Sequence, residues 1–445
     1  MTIGIGLLGL GTVGAGVAGI LASPAGRHPL VGQLALRRVA VRDLNRPRPL
    51  RLAPDLLCTE PEAVVDDPAV EIVVEVMGGL EPARSLILRA IRAGKPVVTA
   101  NKAVIARHGE EIAVAAARGG VYVLIEAAVG GGIPIIEPLK QSLGGNRIQR
   151  VSGIINGTTN YILSRMAEEG AAYADVLAEA QRLGYAEADP AADVQGGDAA
   201  DKIAILAGLA YGGPVERSLI PTEGIDRLDA RDVAYAAQLG YGVKLLAVAQ
   251  HLGSDPAPGE GEDSQLLDVR VHPTLVPRDH PLAGVHGVNN AILVEGDPVG
   301  RVMFYGPGAG AGPTASAVVA DILNIAGIRQ VSGGQSHAPL DPLLAASSWR
   351  RCRLVDSSLT THRNYVRLRT TDEAGVIGKI GTCFGQAGVS IQSIVQFERN
   401  AEPAAGRAEI VVITHDVQEA RFRQALTAIE SLSEVEAVAA CLRTL

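Results

Sequence analysis

Over the first part of the chain, short apolar runs alternate with longer segments whose apolar positions recur at helical spacing. Thr2 to Leu8 is one such run, followed by a glycine turn and by AGVAGIL, which has helical composition. LALRRVAV, EIVVEVM (71–77), PVVTAN (96–101) and VYVLIEA (121–127) are strand-like, and EPARSLILRAIRAG and KAVIARHGEEIAVAAARGG are helix-like between them. Strands separated by helices predict a parallel, doubly wound sheet over residues 1–130.

After Glu126 the pattern breaks at AAVGGGIPII, a glycine-rich bend that cannot continue a packed strand. A second pattern starts near Ile148. QRVSGIINGTTNYIL predicts a strand, a turn at Asn156-Gly157 and a helix start, and AYADVLAEAQRLG predicts an amphipathic helix stopped by Gly184. Residues 331–361 have a linker composition. Beyond them NYVRLRTTD, EAGVIGKIGTCFGQAG, VSIQSIVQFER, AEIVVITHD, VQEARFRQALTAIESL and VEAVAACLRTL run in the order βαββαβ, that of the ferredoxin-like split βαβ fold. The predicted class is α/β, with a Rossmann-type sheet at 1–130, an α+β domain at 131–302 and a ferredoxin-like domain at 362–445.

Composition agrees with that division. At 445 residues the chain is too long for one ordinary core. Aromatics are only 3% against 47% apolar residues and 52 glycines, which favours Ala/Val/Leu/Gly layers over an aromatic-rich β-sandwich. A net charge of −8 and the lack of a Lys/Arg run argue against nucleic acid as a partner. No uninterrupted apolar stretch reaches about 18 residues, so no membrane span is expected. The N-terminal MTIGIGLLGLGTVG lacks a basic start and is too glycine-rich for a signal peptide. Four cysteines without CxxC spacing point to a reducing, cytoplasmic compartment, and the nine histidines have no metal-ligand spacing.

The first glycine turn is Gly9-Leu10-Gly11-Thr12-Val13-Gly14, a GxGxxG set between strand and helix. That context suits a dinucleotide: Gly9 permits the tight turn, Gly11 the approach of a pyrophosphate, and Gly14 close helix packing. The helix N-terminus would bind the phosphates. The second strand ends at Arg42-Asp43, where an acid favours the ribose hydroxyl of NAD and an arginine the 2′-phosphate of NADP. With both present the choice stays open, and Arg46 and Arg48 close behind tilt it to NADP.

Charge gathers in GYAEADPAADVQGGDAADK, from Gly184 to Lys202, which holds five carboxylates and a single lysine. Asp198 and Lys202 are four apart, so on a helix they lie on one face. An exposed ion pair is the plain alternative. The following IAILAGLAYG, however, is apolar nearly all round and should be buried. Burial lowers a lysine pKa towards neutrality, which suits proton transfer, whereas neighbouring carboxylates raise it.

In the same segment Ala180, Gly184, Tyr185, Ala186, Glu187, Asp189, Pro190, Asp193, Gly196, Asp198 and Lys202 resemble the signature of the homoserine dehydrogenases. GLGTVG, VRDL, TANKA, EAAVGGGIPII, NGTTNYIL, HPLAGVHGVNNAILVEGD and GPGAGAGPTASAVVADI resemble the same family, in order along the whole chain. The resemblance implies NAD(P)-dependent interconversion of L-homoserine and L-aspartate 4-semialdehyde, on the route to threonine, methionine and isoleucine. It implies that Lys202 gives a proton to the developing alkoxide, that Asp198 and Glu187 bind substrate, and that Asp193 supports them. Asp189 and Asp201 are left as structural or solvated.

Lys102, in TANKA, would lie beside both nicotinamide and substrate and could share the acid/base role; which lysine moves the proton is left open. Thr99 and Gly310 would join Arg42 and the glycine turn as cofactor contacts, with residues of about 303–330 returning to complete the nucleotide domain. Glu126 and the backbone of Val129, Gly131 and Ile133 resemble the family's monovalent-cation site, for sodium. Residues 131–302 would also carry the dimer contact, since the family is usually dimeric or tetrameric.

The C-terminal region resembles an ACT domain, Asp372-Glu373-Ala374-Gly375-Val376 matching its effector loop. Asp372, Gly375 and Val376 are therefore expected to be regulatory, with threonine as the effector. The insert 253–265 is acidic and rich in Pro and Gly, and reads as a mobile surface loop. Two rival readings are a semialdehyde dehydrogenase working through a thioester on Cys58, and a non-catalytic amino-acid sensor.

Overall fold

The computed structural model describes residues 2–48, 50–255, 264–332, 340–345, 348–397 and 407–445. Its first sheet has six parallel strands: β1 (Ile3–Leu8), β2 (Leu34–Ala40), β3 (Leu57–Cys58), β4 (Ile72–Glu75), β5 (Val97–Thr99) and β6 (Val123–Leu124). Their order is β3-β2-β1-β4-β5-β6, so the chain winds outwards in both directions from β1. Ligands bind at such a switch point, beyond the carboxyl ends of the strands. Every residue of β1 is buried, as expected of a central strand covered on both faces. Helices α1 (Thr12–Ala22), α2 (Pro61–Asp66), α3 (Ala83–Arg92) and α4 (Lys102–Gly119) supply the crossovers.

A late helix, α11 (Ala311–Val331), packs on α1 and places Val318, Ile322 and Ile325 in the core beside Val17, Ile5 and Val39. It alone among the described helices is long and apolar enough to cross a membrane. Its Ala315, Val318, Ile322 and Ala326 are buried inside the fold, so the apolar composition is that of a core helix.

The second sheet has eleven strands. Its middle part is β7 (Arg147–Ile154), β8 (Tyr241–Asp255), β9 (Ser264–Pro277), β10 (Asn289–Asp297) and β11 (Gly300–Pro307). One face is covered by α5 (Ile136–Lys140), α6 (Gly157–Glu169), α7 (Tyr173–Leu183), α8 (Ala191–Val194), α9 (Gly197–Tyr211) and α10 (Ala230–Gln238). Gly184 ends α7 at φ +78°, the stop expected of it.

Three expectations change here. The stretch with linker composition contains β12 (Arg351–Leu354), which runs parallel to the start of β9, on the edge that β17 leaves free because it pairs only with Thr274 and Leu275. The insert's central residues, 256–263, lie outside the described residues, but its flanks are strand: Gly253 pairs with Leu266 and Ser254 with Gln265. Thirdly, the C-terminal unit adjoins the second sheet. Its elements β13 (Thr361–Thr371), α12 (Val376–Gln386), β14 (Ile391–Phe397), β15 (Arg407–Thr414), α13 (Glu419–Glu430) and β17 (Val435–Thr444) have the predicted βαββαβ order, with the two-residue β16 (Val417–Gln418) added before α13. Yet β17 pairs with β9 at Arg443 and Thr444, so the two sheets run on as one.

Candidate active site

Helix α9 carries the chemistry of the acidic segment. It starts after Gly196, whose φ of +83° suits glycine, and Asp198 stands in its first turn, where a carboxylate meets the positive end of the helix dipole. Ala199, Ile203, Leu206 and Ala207 are buried, so the helix is embedded as its composition requires. Lys202 reaches back one turn and places Nζ 2.7 Å from Asp198 Oδ2 and 2.7 Å from the carbonyl of Ile155. Its side chain is 12% exposed.

Asn156 is the residue that the sequence pattern marked only as a turn. Its Oδ1 caps α6 by accepting from Thr159 N at 2.8 Å. The Nδ2 group donates to Asp193 at 2.7 Å and to Asp198 Oδ2 at 2.9 Å, so one amide joins both carboxylates. Burial, helped by the Asp198 charge, pushes the Asp193 carboxyl upwards against that bond.

From the first sheet comes Lys102, the first residue of α4, fixed in place because Asn101 caps the helix and donates to Gly79 O. Its Nζ lies 2.9 Å from Asp198 Oδ1. Asp198 thus spans two lysines from two layers. Burial alone would raise its pKa; Lys202 and Lys102 override that and hold it well below the carboxylate range. Burial likewise opposes the charge on Lys102, yet Asp198 raises its pKa above the ordinary lysine value. Both oxygens of Asp198 are engaged, which makes it first a fixture for the lysines.

The other expected positions fall less neatly. Glu187 is exposed and, among the described residues, its carboxylate has no partner, although its carbonyl accepts from Gln181. Asp189 caps the turn at Ala191. Asp201 is buried between Arg107 and Arg217, a structural place and not a solvated one.

The glycine turn meets its three requirements separately. Gly9 has φ +104°. A Cβ on Gly14 would lie 2.2 Å from Gly9 O, so helix and turn touch there. A Cβ on Gly11 would meet nothing within 4 Å, which leaves the open approach that a pyrophosphate needs. Thr12 is exposed, Val13 half-buried, and Leu10 turns its side chain into the core, leaving only its backbone to a ligand. Thr99 is also committed inwards: its hydroxyl donates to Glu75 Oε2 at 2.6 Å. Buried Glu75, not singled out in the sequence, also accepts from Met77 N at 2.8 Å and so shapes the loop after β4. Gly310, at φ +124°, precedes α11. Arg42 is exposed without a partner among the described residues, whereas Arg48 is tied to the carbonyls of Asp43, Leu44 and Arg46.

This arrangement matches known families over almost its whole length. Residues 9–126 match the family model of the homoserine dehydrogenase NAD binding domain, residues 134–323 that of homoserine dehydrogenase, and residues 364–434 that of the ACT domain. A homoserine dehydrogenase of Synechocystis is 56% identical, covering 100% of both chains. That of Corynebacterium glutamicum is 42% identical over 99% of this chain and 95% of its own. The chain belongs to the homoserine dehydrogenase family. It is accordingly an oxidoreductase. The crystal structure of a homoserine dehydrogenase from Thiobacillus denitrificans superposes with a TM-score of 0.87 at 41% identity, covering 100% of this chain and 98% of that one. A hyperthermophilic archaeal homoserine dehydrogenase in complex with NADPH has a TM-score of 0.59 at 29% identity, covering 74% and 98%.

Membership of the homoserine dehydrogenases sets aside both rival readings. Cys58, the required nucleophile of one, donates its thiol to the carbonyls of Val39 and Glu60 and is hydrogen-bonded to no basic side chain among the described residues. Glu126 is buried and accepts from the amides of Ile135 (2.6 Å), Ile136 (2.9 Å) and Glu137 (2.7 Å), capping α5. The carbonyls of Val129, Gly131 and Ile133 accept no hydrogen bond among the described residues. Burial raises the Glu126 pKa despite its three amide bonds. In the ACT loop Gly375 has φ +96°, Val376 is buried, and Asp372 accepts from Gln396 of β14 at 2.9 Å.

Proposed function

We propose that the chain interconverts L-homoserine and L-aspartate 4-semialdehyde with a nicotinamide cofactor, Lys202 and Lys102 handling the proton. The carrying observation is the bridge of Asp198 between Lys102 of the nucleotide layer and Lys202 of the catalytic layer. The glycine turn, the N-terminus of α1, Gly310 and the backbone at Leu10 and Thr99 fit the dinucleotide. When bound, that cofactor supplies or accepts the hydride. Lys202 spends two ammonium hydrogens on Asp198 and Ile155, which leaves one to point at a substrate oxygen. That geometry favours Lys202 as proton donor, with Lys102, held by one bond and more open, binding substrate and sharing the charge. Asp193 and Glu187 are the carboxylates left to take the α-ammonium.

NADP is favoured, because Arg42 is free for a 2′-phosphate while Asp43 is engaged by Asn45 N at 2.8 Å. Arg46 and Arg48 lend less to this, since Arg48 closes its own loop. A sodium ion fits Glu126 and the unclaimed carbonyls of Val129, Gly131 and Ile133. The ACT loop, with Asp372, Gly375 and Val376, is read as the seat of an amino-acid effector, threonine being the end product expected. Among the described residues, strand β14 has a partner on one side only, which supports a homo-oligomer joined along that edge. Its cysteines, all unpaired, suit the cytoplasm.

The test is a spectrophotometric assay of homoserine oxidation with NAD and with NADP, each with and without threonine. Turnover with a lower KM for NADP is expected. Absence of turnover with either cofactor refutes the assignment.

A further inference from the structure

Lys102 meets Asp198 across the boundary between the two layers, and a second ion pair crosses the same boundary a short way along. Arg107, also on α4, places Nη1 3.0 Å from Asp201 Oδ2 on α9. We propose that Arg107, acting through Asp201, is a positioning residue that holds Lys102 in register with Asp198. The proposal rests on the reaction read above.

Three observations carry it. First, Arg107 Nη1 also donates to Ala103 O at 3.2 Å, so the guanidinium is braced against the turn of α4 that starts with Lys102. Second, Asp201 is a fixed anchor. It is 7% exposed, and Arg217 holds its other oxygen at 2.7 Å while donating to Gly197 O, the first residue of α9. Asp198 and Asp201 lie three apart on that helix and so face the same way. Third, the apolar contact of the two helices is bordered by a cavity. Ile105, Gly109 and Ile112 of α4 and Ala204, Ile205 and Gly208 of α9 line a cavity of about 1160 Å³. With that cavity beside their contact, the two ion pairs add to the packing in fixing where α4 rests on α9.

Arg107 has a side chain 40% exposed, and a pair that open adds little to stability. Its effect should therefore appear in rate. Small errors in placing a reacting group cost rate steeply, so Arg107→Ala is expected to lower kcat about tenfold. The KM for homoserine and the Kd for NADPH should change little, and Arg107→Lys should recover most of the rate. Arg84→Ala is the control: it removes the Arg84–Glu111 pair on the α3 side of the same helix, and should leave kcat as in wild type. Equal losses in Arg107→Ala and Arg84→Ala, or no loss in Arg107→Ala, overturn the proposal. Acylation of Lys102, followed by mass spectrometry on the full-length protein, reads the contact without turnover. Faster labelling in Arg107→Ala supports the proposal even if the reaction assignment fails, and an unchanged rate refutes it.

Discussion

Asp198 Oδ1 lies 2.9 Å from Lys102 Nζ, so a buried carboxylate of the second layer binds an ammonium delivered by the first. On Lys102 two influences compete: burial lowers the pKa, and the Asp198 charge raises it and wins. A lysine raised in the folded state adds stability in full below its ordinary value of 10.5, and loses it as pH climbs through the higher folded value. The pair is therefore intact at neutral pH.

Asp198→Asn removes the main raising influence and leaves burial opposed only by the charges of Asp193 and Asp201. The pKa of Lys102 should then drop below its wild-type value, which NMR titration of ¹³C-dimethylated lysines can follow. A Lys102 that titrates at or above the wild-type pH would show that Asp198 is not what keeps it charged.

Lys202 has a different environment, on the same helix as its partner and bound also to Ile155 O. Lys202→Ala should reduce turnover by about 10²–10⁴-fold, the range for loss of a positioned acid or base. Because the glycine turn lies on the other layer, NADPH affinity by fluorescence titration should stay near wild type. Equal collapse of affinity would place Lys202 in the cofactor site instead.

Much of this was legible in the residues because local signals and fold agree. The alternation of strands and helices announced a parallel, doubly wound sheet, though not its strand order nor the short β3, and the four-residue spacing of Asp198 and Lys202 became a 2.7 Å contact. What was not legible depends on distant pairing. Asn156 looks like any turn residue until α8 and α9 bring Asp193 and Asp198 to its amide. Likewise Glu75 reads as one more residue of an apolar strand, and only the position of β5 beside β4 delivers Thr99 to it. The junction of β17 with β9 rests on backbone pairing at Arg443 and Thr444, which no side-chain pattern announces.

Gly11 and Gly14 allow the nucleotide site to be separated from the fold. Gly14→Ala puts a methyl 2.2 Å from Gly9 O and should lower both thermal stability and NADPH affinity. Gly11→Ala meets no protein atom, so the melting temperature should hold while NADPH affinity falls. Retained affinity in Gly11→Ala would mean that the pyrophosphate does not approach there.

Arg367 on β13 decides whether the C-terminal unit can be treated as removable. Its guanidinium bonds Asp232 of α10 at 2.7 and 2.9 Å and Glu409 of β15 at 3.0 Å, and Tyr365 adds a 2.9 Å bond to Asp232. From the other side Tyr235 of α10 bonds Glu409 at 2.8 Å and stacks on Phe397, ring centroids 4.0 Å apart. Helix α10 also packs on α6, the helix capped by Asn156, so the ACT sheet reaches the catalytic layer through one buried charge cluster. Arg367→Met leaves buried Asp232 without its cation, held only by Tyr365, while Glu409 keeps Arg231 at 3.1 Å; the change should cost about 3 kcal/mol, read from urea unfolding. Deleting residues beyond 361 takes both Arg367 and Tyr365 from Asp232, so the truncated chain should lose at least a comparable share of stability, together with the amino-acid response proposed above. An Arg367→Met midpoint equal to wild type would show that the cluster does not hold the two units together.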